Sequence, residues 1–117
     1  MTDKRIVLST AGSDEEARNI AQALVERRLA ACVNIVGPVH SVYRWKGAVE
    51  NAPEHLLLIK TTEAAFPRVR DAIRELHSYE LPECLMLSIE AGSENYLKWI
   101  GESVDRETGR PGDRVVG

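Results

Sequence analysis

The segment His77-Ser78-Tyr79-Glu80-Leu81-Pro82-Glu83 puts an imidazole, a phenol and two carboxylates within seven residues. A neutral imidazole beside carboxylates is a donor set suited to borderline cations such as copper(II) or zinc. The expected ligands are His77, Glu80 and Glu83: three protein donors at most, without the thiolate that copper(I) prefers. The sequence therefore predicts weak binding, better for copper(II) than for zinc. It should weaken as pH falls through the usual imidazole pKa of about 6.5, because only the neutral ring ligates. The competing reading makes His77 a helix C-cap and the rest a solvated turn.

Other reactive side chains do not assemble into a recognisable set. Cys32 and Cys84 are far apart and neither lies in a CxxC pair, so they read as free thiols packed like small apolar residues. Two thiols are too few for an iron–sulfur cluster. His40 and His55 fall on polar strand arms and are expected at a surface or interface. No GxSxG-type frame surrounds any serine or cysteine, so no nucleophile with its base can be named and a non-enzymatic protein is expected.

The elements that must position these residues follow from periodicity. Arg5–Thr10 is a short β-branched run, a buried strand. Ser13, with Glu16 three residues on and acids between, begins a helix over 14–28 whose apolar residues are Ala17, Ile20, Ala21, Leu24 and Val25. Alternation over 31–46 breaks at Gly37-Pro38, where a bulge or bend is expected. Val39, Ser41, Tyr43 and Trp45 then share one face, with His40, Val42 and Arg44 on the other. Lys46-Gly47 forms a tight turn into a second arm over 48–61, and Leu56-Leu57-Leu58-Ile59, apolar on both faces, marks that arm as central. Phe66, Val69, Ile73 and Leu76 stripe a second helix starting near Ala65, with Pro67 in its first turn. A fourth strand over 85–89 and a short helix carrying Tyr96, Leu97, Ile100 and Val104 complete the order, with Trp99 expected in the core. From Asp105 onward the composition changes to that of a polar tail, 105–117, after a domain spanning 4–104.

The order βαββαβ plus a terminal helix defines an α+β, ferredoxin-like sandwich with a long central hairpin. Arms of about 15 residues exceed the usual strand of about 5–6 and outrun any home sheet, so other subunits are expected to pair them. Length and charge agree with one ordinary domain: 117 residues, net charge −3, 44% apolar. The acidic balance argues against nucleic acid and anionic membranes as partners. Ile6-Val7-Leu8 is too short for a signal-peptide core and no apolar run has membrane-spanning length, so a cytoplasmic protein is expected. Other occupants of this topology lack their motifs. The inner strands carry no stacking aromatics for RNA, and Thr10-Ala11-Gly12-Ser13 has neither the paired cysteines of copper chaperones nor the anion-cradling arginine of acylphosphatases.

Five stretches together resemble the CutA divalent-ion tolerance family. They are Leu29-Ala30-Ala31-Cys32-Val33-Asn34-Ile35, Ser41-Val42-Tyr43-Arg44-Trp45-Lys46-Gly47, Ile59-Lys60-Thr61-Thr62, Leu76 through Glu83, and Tyr96-Leu97-Lys98-Trp99-Ile100. The likeness runs from about Ile6 to Val104. It implies a cytoplasmic homotrimer of ferredoxin-like subunits, linked to tolerance of copper and other divalent cations, with no required cofactor. It also implies a likeness in architecture to PII-type signalling trimers, and so an alternative role binding a small metabolite in clefts between subunits. Copper ligands proposed in the family fall here on Ser9, Leu76 and His77, of which His77 alone can ligate. Ser78 stands where the family usually has proline, and the family usually has another proline near Gly12.

Overall fold

A computed structural model describes residues 2–105. Strand β1 (Lys4–Ala11) leads to helix α1 (Asp14–Glu26), then to the hairpin arms β2 (Cys32–Trp45) and β3 (Ala48–Thr62). Helix α2 (Phe66–Leu76), strand β4 (Leu85–Ser88) and helix α3 (Glu94–Ser103) follow. The antiparallel sheet has the order β2-β3-β1-β4, the ferredoxin-like topology.

Local chemistry sets the boundaries. Ser13 caps α1 by accepting the Glu16 amide at 3.1 Å, and three acids occupy the first turn. The helix stops at Glu26 rather than Arg28, because Arg28 turns into the left-handed region at φ 60°. At the hairpin tip Lys46 and Gly47 both have positive φ (50° and 84°), the pair that a two-residue turn with the strands' own twist requires. The expected irregularity at Gly37-Pro38 is a shift of register between Val36 and Val39.

Paired residues share a face, so the register sorts the sheet. Val7 opposite Ile59 and Ser9 opposite Leu57 point toward α1 and α2, where Ile20, Leu24, Val69 and Ile73 complete a fully buried core. Ile6, Leu8, Leu56 and Leu58 point to the other face together with Leu85 and Leu87, which are 55% and 46% exposed. Among the described residues the outer part of the hairpin pairs only with itself, and Val42, Tyr43, Trp45 and Val49 are all exposed there. The radius of gyration, 15.0 Å, exceeds the roughly 13 Å of a compact chain this long because of that projection.

Two sequence expectations need correction. Trp99 is 42% exposed and pairs with exposed Tyr96 at 5.4 Å between ring centroids, while Ile100 of α3 and its C-cap residue Val104 are buried. Asp105, expected to open a solvated tail, is tied down: its amide donates to the Arg28 carbonyl at 2.8 Å and its carbonyl accepts from the Arg68 guanidinium at 3.0 Å. The rest of the expected tail lies outside the described residues.

Candidate functional site

The site forms where β1 ends and β3 runs on past it. The loop from α2 to β4 crosses this gap and carries His77, Tyr79, Glu80 and Glu83. Ser9 anchors the loop's far end, its buried hydroxyl donating to the Glu83 carbonyl at 2.7 Å.

His77 is fixed by the backbone on both sides. Its side chain is fully buried, Nε2 lies 2.6 Å from the Thr10 carbonyl oxygen, and Nδ1 lies 3.1 Å from the Tyr79 amide nitrogen. A carbonyl only accepts and an amide only donates, so the ring carries its proton on Nε2 and offers its Nδ1 lone pair to the amide. Glu16 completes the surroundings 4.0 Å from Nδ1, accepting the Ser78 amide at 2.8 Å. Burial pushes the Glu16 carboxyl up, but hydrogen bonds from Ser78 and the Gly12 amide outweigh it and hold the pKa below its usual value.

Tyr79 packs its ring on His77 at 4.5 Å and donates its hydroxyl to Glu54 Oε2 at 2.8 Å. Burial first, and the Glu54 carboxylate second, push the phenol well above its ordinary pKa. Gly12 makes room for this ring: a Cβ there would stand 3.0 Å from the Tyr79 hydroxyl. Tyr79, Glu54 and Glu83 line a groove of about 590 Å3 whose other wall is the hairpin segment from Ser41 to Trp45. Glu83 is partly buried there, and burial followed by the charge of Glu54 raises its carboxyl pKa.

Of the three residues expected to ligate, Glu80 and Glu83 line the groove, whereas His77 is enclosed behind Tyr79. Among the described residues no three His, Cys, Asp or Glu side chains converge on one point. Sequence reasoning missed Glu54, 25 residues from its partner Tyr79. Nothing in its polar stretch, Glu50-Asn51-Ala52-Pro53-Glu54-His55, singles it out from Glu50. Cys32 and Cys84 are unpaired and partly buried, as expected of small packed thiols, and burial raises the pKa of Cys84. His40 is exposed and lies 3.2 Å from Asn51, while His55 is largely enclosed against Gly37.

Fold and site thus define a ferredoxin-like α+β domain with an overlong hairpin and an acidic, aromatic-walled groove beside it. Residues 5–103 match the family model of the CutA1 divalent ion tolerance proteins, and the chain belongs to that family. The divalent-cation tolerance protein CutA of Thermus thermophilus is 50% identical over 100 residues, 86% of this chain and 97% of that one. Human protein CutA is 42% identical over 91 residues; these are 78% of this chain and 51% of the human one, about half its length. The Thermus thermophilus structure superposes with a TM-score of 0.85 at 50% identity, over 86% of this chain and 98% of that one. CutA from Xylella fastidiosa superposes with a TM-score of 0.87 at 36% identity, over 89% of this chain and all of the other. The Archaeoglobus fulgidus structure, at 40% identity, is described as a periplasmic divalent cation tolerance protein; its TM-score is 0.83 over 86% of this chain and 97% of that one. No helix among the described residues is long and apolar enough to cross a membrane.

Proposed function

We propose that the chain acts in divalent-cation tolerance as a non-enzymatic cytoplasmic homotrimer that contacts copper(II) weakly. The family match over residues 5–103 carries the tolerance reading. Two unpaired thiols support a reducing compartment. The trimer is supported by the apolar sheet face of Ile6, Leu8, Leu56, Leu58, Leu85 and Leu87, and by a hairpin end with no pairing strand beyond its own arms. Neither surface is one that a monomer usually leaves to water.

For copper(II) the groove carboxylates Glu80 and Glu83 are the direct contacts, and His77 acts by holding their loop against β1. Both His77 nitrogens serve the backbone, which favours this division. Calorimetric titration tests it: Glu83→Gln should weaken copper(II) binding severalfold, and equal affinity in parent and variant would refute carboxylate contact. Sedimentation tests assembly, with Leu87→Glu expected to shift a trimer toward folded monomer; a monomeric parent at micromolar concentration would refute the trimer.

A further inference from the structure

Helix α3 has little of its own to hold it in shape. It is 10 residues long, Ser93 gives its first turn no side-chain cap, and Gly101 interrupts it. Isolated helices shorter than about 12–15 residues are marginal in water, and an interior glycine weakens them further. The helix therefore persists only while it is docked.

That docking is small and separate from the main interior. Among the described residues none from α3 joins the core built around Ile20, Leu57 and Ile73. Ile100 and the C-cap residue Val104 bury instead against Ala65, with Ala31 and Leu97 at the margin. The polar fastenings among the described residues lie at the C-terminal end alone. The Arg28 guanidinium donates to the Glu102 carbonyl at 3.2 Å and the Arg68 guanidinium to the Asp105 carbonyl at 3.0 Å. The Asp105 amide donates back to the Arg28 carbonyl at 2.8 Å. Arg28 keeps this place at φ 60°, a left-handed conformation that is costly for any residue with a Cβ.

We infer that α3 is a strap that undocks and unfolds as its own cooperative unit while the sheet, α1 and α2 stay folded. Opening bares the seam where Ala31 and Ala65 meet, and closing restores the Arg28 and Arg68 clasps. This device goes beyond the tolerance reading and does not depend on it.

The test is amide hydrogen exchange of the native protein, read residue by residue at several urea concentrations below the unfolding transition. The amides of Leu97 and Val104, bonded inside α3, should be at least ~100-fold less protected than that of Val7 in the inner strand β1. Their exchange should also depend less steeply on urea, because a local opening exposes little surface. Arg28→Gly relaxes the left-handed backbone but removes a clasp. Val7 should keep or gain protection, while Leu97 and Val104 lose ~3-fold or more. Ile100→Ala should remove ~30-fold or more of the protection within α3 and leave Val7 within ~3-fold of the parent. Equal protection and equal urea dependence in α3 and β1 would overturn the inference. So would parallel losses at both places in either variant, or an Ile100→Ala protein that circular dichroism shows unfolded.

Discussion

Replacing His77 by alanine removes a side chain that is wholly enclosed and bonded at both nitrogens. The Thr10 carbonyl loses its donor and the Tyr79 amide its acceptor. Each unsatisfied buried group costs about 1–3 kcal/mol. Loss of the ring's contact with Tyr79 adds up to about 1 kcal/mol, and a water entering the gap recovers part of the hydrogen bonding. The expected destabilisation is about 3–4 kcal/mol, a fall in Tm of roughly 15–25 °C for a domain of this size. His77→Gln, whose amide can still donate toward Thr10, should lose about half as much. The assay is urea unfolding followed by circular dichroism at two subunit concentrations, so that any contribution from association is separated. A loss below about 1 kcal/mol for His77→Ala would refute a structural role for this ring.

Three further outcomes follow from named contacts. Gly47→Ala should destabilise the subunit by about 1 kcal/mol in the same unfolding assay, since φ of 84° disfavours a Cβ; no loss would mean the turn re-forms. Glu83 holds its proton more tightly folded than unfolded, so its ionised form works against folding above the folded pKa and ceases to as pH falls. Glu83→Gln should therefore raise Tm at pH 7 by about 1–3 °C, the gap closing toward pH 4, and a Tm that drops would contradict a cost from burying its charge beside Glu54. Cys84, its pKa raised by burial, should label with a thiol reagent far more slowly at neutral pH than in denaturant; labelling at the unfolded rate would contradict its packing.

Features written in a few neighbouring residues were legible before any coordinates. Ser13 with its acids, the interruption at Gly37-Pro38 and the Lys46-Gly47 turn each depend on contacts within a few positions or on backbone chemistry alone. The apolar run Leu56–Ile59 named β3 as an inner strand because both its faces need apolar company. Trp99 was misplaced because size suggested burial, whereas the α3 stripe that meets Ala65 passes through Ile100 and Val104 and leaves the indole on the opposite side. The bonding of His77 was not legible at all. Its acceptor is the carbonyl of Thr10, 67 positions away, and a backbone oxygen leaves no trace in residue type. Donor chemistry alone therefore made the imidazole look available when the fold had already engaged it.

Among the described residues the hairpin beyond Val39 joins the sheet only through its own two arms. None of its side chains belongs to the apolar core clusters, so replacing its exposed side chains away from the turn at Lys46-Gly47 should cost the body little stability. Such a segment behaves as a detachable handle. Its sequence can drift with little constraint from the core, and residues 39–52 could be exchanged between relatives without redesign of the body.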